Sequence, residues 1–161
     1  RKNKKIKTEN LVEIIEGVKK KNSGKNKSTK VFQALRIFIN KEITELINGL
    51  IKAYNILPIG GVIAVVTFHS IEDKIVKFFF KEYSEIKNSS RYLPKSIPAK
   101  KYFSLTKKKP IIPSSSEVKI NPPSRSAKLR FAYKLESGCD FKKFINHFNY
   151  LKEIENLNFN V

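Results

Sequence analysis

Cysteine, acidic residues and long apolar runs are scarce in this chain of 161 residues, and each scarcity excludes a class of protein. The single cysteine, Cys139, excludes an internal disulfide and favours a reducing compartment, which we expect to be the cytoplasm. No apolar run reaches the ~18 residues that a membrane span requires, and no signal peptide opens the chain. Since Walker loops, Gly-x-Gly-x-x-Gly motifs and zinc-ligand spacings are also missing from the sequence, we expect no metal site.

The charge is strongly unbalanced, because 33 lysines and arginines face 14 acidic residues and give a net charge of +19. A surface this basic favours polyanionic partners, nucleic acid first. Lysine greatly outnumbers arginine, which is also typical of proteins from AT-rich genomes. Part of the positive charge therefore has an explanation in codon usage, so we count only the remainder as evidence for a polyanionic partner. Hydrophobic residues at 40%, with twelve phenylalanines, indicate a globular domain. The chain begins with Arg1 rather than methionine, and we expect it to be part of a longer protein.

The most informative stretch is residues 62–68, which are apolar at every position but one and do not alternate with polar residues. A short β-branched run of this kind, introduced by Gly60 and Gly61, predicts a strand covered on both faces in a parallel α/β sheet. His69 follows the strand directly. Ligands bind at this edge of open α/β sheets, so His69 is a candidate functional residue, although a purely hydrogen-bonded histidine is an equally good interpretation.

A helix should follow this strand, because apolar residues recur at helical spacing from Ile71 to Phe80. Ser70 and Asp73 fit a capping box, in which the serine accepts from the third helical N–H and the carboxylate reaches back. Helix capping therefore explains Ser70 and Asp73 better than catalysis does. Residues 114–117 give a second capping-box match, for a short helix.

The remaining elements follow from periodicity and capping signals. We predict helices over residues 9–20 and 28–56, the second interrupted near Asn40, strands over 102–106 and 129–135, and a last amphipathic helix capped by Asp140. This order indicates the second half of an α/β sheet that ends in an antiparallel pair. A strand buried on both faces needs parallel neighbours, and these would have to lie N-terminal to Arg1.

Three blocks of sequence carry a resemblance to a known family. The first is residues 31–37, Val-Phe-Gln-Ala-Leu-Arg-Ile, with Asn40 and Glu42 after it. The second is Leu-Pro-Ile-Gly-Gly at 57–61, followed by Val-Thr-Phe-His-Ser-Ile-Glu-Asp-Lys-Ile-Val-Lys at 66–77. The third is Lys-Pro-Ile at 109–111 with Asn-Pro-Pro-Ser-Arg-Ser-Ala-Lys-Leu-Arg at 121–130. In order and spacing, these blocks resemble the C-terminal portion of the MraW/RsmH family.

The resemblance implies a class I, Rossmann-like methyltransferase fold into which a helical domain is inserted. Residues 1–25 would be the end of that inserted substrate-recognition domain, and residues 26–135 the C-terminal half of the methyltransferase domain. Residues 136–161 extend beyond the family pattern as an amphipathic helical extension. The main cofactor loop would then lie upstream of Arg1.

The resemblance also implies S-adenosylmethionine-dependent N4-methylation of a cytosine in the decoding region of 16S ribosomal RNA. The partner would be this RNA or the 30S subunit, with no membrane involved. His69 and Glu72 would form the catalytic wall, and the chain alone would be inactive. RNA would lie across four residues: Gln33, Arg36, Arg125 and Lys128. The alternative is a basic RNA-binding or ribosome-associated module without chemistry, whose binding no cofactor alters.

Overall fold

The computed structural model describes residues 7–18, 28–84 and 100–157, and the chain divides into two compact units, residues 1–42 and 43–161. The first unit contains α1 (Thr8–Val18) and α2 (Thr29–Asn40). α1 begins at Thr8, one residue before the predicted start, and buries Ile15 of its apolar face. The last two residues of the predicted first helix, 19 and 20, lie outside the described residues.

The long helix predicted over residues 28–56 is divided in two. α2 ends at Asn40, and α3 begins two residues later (Glu42–Ile56). Lys41 between them has φ 51° and ψ 40°, the left-handed conformation that ends many helices, and its N–H bonds back to the carbonyls of Ile37 and Phe38. The predicted interruption near Asn40 is therefore confirmed.

Within its described residues, the second unit contains α3, a 3-10 helix (Pro122–Ser126) and seven further helices and strands. They are β1 (Val62–Thr67), α4 (Ser70–Ser84), β2 (Phe103–Ser104), α5 (Ser115–Ile120), β3 (Lys128–Lys134), α6 (Lys142–His147) and α7 (Asn149–Glu155). The described strands form one sheet in the order β1-β3-β2, with both pairings antiparallel. The mixed α/β composition and the antiparallel pair β2–β3 agree with the sequence. The assignment of the remaining sheet and of an inserted domain stays a prediction.

The surroundings of β1 differ from the prediction of a strand buried on both faces between parallel neighbours. β1 pairs with the antiparallel β3 and lies at the edge of the described sheet. Ile63 and Thr67 are buried, whereas Val62 and Val66 on the other face are 44% and 53% exposed. The apolar run fixes the strand and the apolar character of both faces, but it carries no information about what covers each face.

An aromatic cluster forms the core of the second unit. Phe79 of α4 lies at its centre, with ring centroids 4.9–5.7 Å from five other rings, those of Phe80, Tyr83, Phe103, Phe141 and Phe144. Each buried aromatic side chain contributes about 1.5–3 kcal/mol through burial, and edge-to-face pairs add ~0.5–1.5 kcal/mol. Rings from α4, β2 and the start of α6 therefore hold these elements together, and aromatic residues near the C-terminus belong to the core.

β3 fixes the turn that leads into β1. Gly60 adopts φ 86°, a conformation that favours glycine, and its N–H donates to the carbonyl of Lys134 at 2.8 Å. A Cβ on Gly61 would lie 2.5 Å from the side chain of Leu57, so this position also requires glycine. The buried Lys134 ammonium donates to the carbonyls of Tyr54 (2.9 Å) and Leu57 (2.7 Å), which satisfies the C-terminal end of α3.

The C-terminal segment is part of the same core. The single helix predicted from Asp140 is broken at Phe148 into α6 and α7. Glu155 of α7 is buried, and its carboxylate accepts hydrogen bonds from the backbone N–H groups of Ile43 (2.8 Å) and Thr44 (2.9 Å). A side chain near the end of the chain thus satisfies the first turn of α3.

Candidate functional site

His69 and Glu72 form a reciprocal cap where β1 ends and α4 begins. The Nδ1 atom of His69 accepts from the backbone N–H of Glu72 at 3.3 Å. One carboxylate oxygen of Glu72, Oε2, accepts from the N–H groups of Phe68 (2.8 Å) and His69 (3.2 Å). The carbonyl of His69 accepts the N–H of Asp73, which places His69 at the N-cap position.

The capping box predicted for Ser70 and Asp73 is therefore wrong by one residue. Ser70 makes no side-chain hydrogen bond within the part of the chain that the structure describes, and it is exposed. The Asp73 carboxylate turns away from the helix start and binds Arg130 Nε at 2.7 Å and Lys128 Nζ at 3.1 Å. Two cations on β3 attract this carboxylate more strongly than a neutral backbone N–H does, because both partners of each ion pair carry a full charge.

The pKa of Asp73 reflects this environment. Burial by itself would raise the pKa of the carboxyl, but the hydrogen bonds and positive charges of Arg130 and Lys128 outweigh it and hold the pKa below its ordinary value. Asp73 is consequently a structural anion that ties α4 to β3.

The hydrogen bond to Nδ1 restricts the chemistry of His69. An accepting Nδ1 leaves the proton of the neutral ring on Nε2. This atom is buried and lies 3.2 Å from Glu72 Oε1, close enough for electrostatic attraction but without the alignment of a hydrogen bond among the described residues. The His69 side chain is only 10% exposed. The imidazole of His69 and the carboxylate of Glu72 thus face each other and are held together by their hydrogen bonds to the backbone.

The predicted RNA-binding residues divide between the two units. Gln33 and Arg36 lie three residues apart on α2, hence on one face of that helix. Arg36 forms a two-pronged ion pair with Glu42, at 2.8 and 3.1 Å. In the second unit, Lys128 forms an ion pair with Asp73. The exposed Arg125 donates a 3.4 Å hydrogen bond to the carbonyl of Pro122 and has no carboxylate partner among the described residues.

The ion pairs of Asp73 with Lys128 and Arg130 were not predicted from the sequence. A usable signal was present, since Lys128 and Arg130 are two residues apart in a strand and therefore project from the same face. Cys139, the single cysteine of the chain, lies in an environment that favours the thiol over the reactive thiolate. Burial raises its pKa to about 12, with the neighbouring Asp140 carboxylate adding to the effect, so the thiol stays protonated at neutral pH.

The backbone donors at this edge are already engaged. The N–H groups of Phe68 and His69 both point to the Glu72 carboxylate, so the turn offers no pair of donors for a ribose or carboxylate of a cofactor. This geometry fits a wall of a site rather than its main cofactor loop. The location of that loop upstream of Arg1 stays a prediction. No helix in the described ranges is long and apolar enough to cross a membrane.

Comparisons with known proteins identify the family. The chain is 44% identical over 131 residues to a ribosomal RNA small subunit methyltransferase H of Rhodopseudomonas palustris, covering 81% of this chain and 40% of that protein. For the proteins of the same name from Methylorubrum populi and Bartonella quintana, identity is 46% over 127 residues and 43% over 146 residues. The first alignment covers 76% of this chain and 36% of the relative, and the second 86% and 43%.

The chain thus spans about 40% of the length of the curated relatives it matches. The model of the family described as the MraW methylase family matches residues 1–135, which include all three of the sequence blocks above. The resemblance in those blocks is confirmed, and the chain belongs to the MraW methylase family.

Proposed function

We propose that the protein acts in S-adenosylmethionine-dependent methylation of the exocyclic N4 of a cytosine in the decoding region of small-subunit ribosomal RNA. The observation that carries the proposal is the family match over residues 1–135. The relatives' printed names support ribosomal RNA of the small subunit as substrate. The net charge of +19 agrees with a polyanionic substrate.

S-adenosylmethionine, when bound, would supply the methyl group as a sulfonium that a neutral amine can attack. The reaction therefore needs little acid–base chemistry, and orientation supplies most of the rate. In this proposal His69 and Glu72 are one wall of the reaction site. Their reciprocal hydrogen bonds hold the end of β1 and the start of α4 together, so their role in this proposal is to position the wall of the site.

The RNA-binding assignments form the second part of the proposal. Arg125 is the most available of the four residues, since its guanidinium has no carboxylate partner among the described residues. Arg36 and Lys128 are paired with carboxylates, so a phosphate would have to compete with those partners. Gln33 would contribute hydrogen bonds beside Arg36. We expect Arg125→Ala to weaken RNA binding more than Arg36→Ala does.

The test is methylation by the protein translated from the complete reading frame that encodes these 161 residues. Small subunits lacking the modification are incubated with the protein and labelled cofactor, and digested RNA is analysed by mass spectrometry. We expect N4-methylcytidine at one position of the small-subunit RNA. Label in another base, or in large-subunit RNA, would contradict the proposal.

The second candidate is a basic RNA-binding module without chemistry. It is favoured by the charge of +19 together with the absence of a Gly-x-Gly-x-x-Gly motif from the 161 residues. The two functions differ in one observable. RNA binding that S-adenosylmethionine leaves unchanged, combined with no methyl transfer by the complete protein, would favour the binding module.

A further inference from the structure

A basic cavity lies on the second half of α4, away from the His69–Glu72 cap. Its volume is about 240 Å³, and it is bounded by α4, by the segment that follows β2 and by β3. Lys77 and Lys81 contribute from α4 and Lys107 from the segment after β2, with Phe80 and Phe131 among the apolar lining. We call it the α4 pocket. Lys77 is eight residues beyond His69, or about 12 Å along the helix axis.

Part of the positive charge of the α4 pocket has no compensating carboxylate among the described residues. All of its charged lining residues are cations. Lys77, Lys81 and Lys107 have no carboxylate partner in the described ranges. Two lysines four residues apart on one helix face repel each other and reduce helix stability. An anion bound between them would remove this repulsion.

The wall of the α4 pocket is held in place by Arg130. Its Nε donates to Asp73 at 2.7 Å, and its Nη1 donates to the carbonyl of Lys108 at 3.2 Å. One guanidinium thereby connects β3 to the first turn of α4 and to the lysine-bearing segment after β2. The positive charge of Arg130 is engaged by Asp73, so Arg130 shapes the pocket while the three lysines are available to a ligand.

Size and lining together indicate the ligand. At about 240 Å³, the cavity is smaller than the ~300–1,000 Å³ of sites that enclose a drug-sized molecule, and a single planar ring suits it better. Apolar and aromatic lining beside unpaired lysines is the combination that proteins use for single-stranded nucleic acid, where a base packs on apolar groups and its phosphate meets cations.

We propose that the α4 pocket receives one unstacked nucleotide of single-stranded RNA, with the base inside the cavity and a flanking phosphate between Lys77, Lys81 and Lys107. The proposal rests on the proposed function for the identity of the polyanion as RNA. It adds a second contact point, distant from the His69 edge, that anchors the RNA strand by a base and phosphate rather than by overall charge.

The test compares two double variants of equal charge in the protein translated from the complete reading frame. Lys77→Ala/Lys81→Ala removes two pocket lysines. Lys52→Ala/Lys74→Ala removes two exposed lysines that do not line the pocket. Affinity for a fluorescein-labelled single-stranded RNA of eight nucleotides is measured by anisotropy over a series of salt concentrations, and circular dichroism verifies that both variants fold.

We expect the pocket variant to bind about tenfold more weakly at ~0.1 M salt. Its slope of log K against log salt should fall by about 1.4, corresponding to two lost phosphate contacts on a single strand at ~0.7 each. The control variant should stay within about threefold of the wild type. Equal losses in both variants would overturn the proposal, because they would show that only overall charge matters.

Competition experiments identify which part of the nucleotide is bound. Cytidine monophosphate should displace the labelled RNA from the wild type at concentrations at which inorganic phosphate does not, and the RNA should bind at least tenfold more tightly than the mononucleotide. Equal competition by inorganic phosphate would exclude a base-binding cavity. Tighter binding of the free mononucleotide would assign the pocket to a small molecule. Methylation is measured separately, so a functional pocket without methyl transfer contradicts only the proposed function.

Discussion

Replacing His69 by alanine should destabilise the protein, whereas replacing Ser70 should not. His69→Ala removes the Nδ1 acceptor of the Glu72 N–H, leaving a donor in the first turn of α4 without its partner. Losing an N-cap costs ~0.5–2 kcal/mol. The hydrogen bond is 3.3 Å long, at the weak end of the range, while the ring is nine-tenths buried. We therefore expect a loss of about 1 kcal/mol in the free energy of unfolding.

For a chain of this length, ~1 kcal/mol corresponds to a decrease of about 2–4 °C in Tm. Ser70→Ala should remain within about 0.5 kcal/mol of the wild type, because Ser70 is exposed and its side chain bonds to no described residue. Thermal and urea unfolding, followed by circular dichroism, measure both variants. A larger loss in Ser70→Ala than in His69→Ala would refute the assignment of the cap.

A third variant separates capping from catalysis. Asparagine is among the best N-cap residues, so His69→Asn should retain most of the stability while removing the imidazole. If His69 positions the substrate, His69→Asn in the complete enzyme should lower methyl transfer ten- to a hundredfold, or ~1.4–2.7 kcal/mol of transition-state stabilisation. Full activity together with full stability in His69→Asn would leave His69 with a capping role alone.

Three further variants or conditions test other parts of the structure. The depressed pKa of Asp73 gives stability that is present above the unfolded pKa of ~3.9 and is lost as pH falls through the folded value. Asp73→Asn should therefore lower the free energy of unfolding at pH 7 and flatten its decline below about pH 4, as measured by urea titrations. Parallel pH profiles in the two proteins would contradict this. Glu155→Gln should lower the free energy of unfolding by ~1–3 kcal/mol, because it replaces charge-assisted hydrogen bonds to two backbone N–H groups by weaker ones. An unchanged midpoint of urea unfolding would show that the charge of Glu155 is unimportant there. RNA affinity of the wild-type chain should fall by about four decades per decade of salt if about five phosphates are neutralised, and a flat response would assign the lysine excess to codon bias.

Local features were predictable from the sequence, and features that depend on distant residues were not. The apolar run of β1 and the interruption after Asn40 are encoded by neighbouring residues. The position of the helix cap is not encoded locally. Two residue pairs fit the capping pattern, one residue apart: Ser70 with Asp73, and His69 with Glu72. What decides between them is the attraction of Asp73 to Lys128 and Arg130, 55 and 57 residues further along the chain.

The same distinction applies to the candidate sites. The apolar run placed His69 at the end of a strand, and the structure places it there too, because strand and helix boundaries follow local apolar periodicity. The α4 pocket could not be predicted, since its lysines come from two segments 26–30 residues apart that meet only after β2 pairs with β3.

The hydrogen bonds of Glu155 also bear on how the protein is made. They join residues separated by 111 and 112 positions, so α3 emerges from the ribosome long before its capping carboxylate is synthesised. At ~5–20 residues per second this interval is about 6–22 s, during which the Glu155 carboxylate cannot yet bind the N–H groups of Ile43 and Thr44. Closure of the second unit is consequently a late event that awaits the C-terminal helices, and such long-range contacts slow folding. A nascent chain arrested before Glu155 should expose the start of α3 to proteases, and release of the complete chain should protect it.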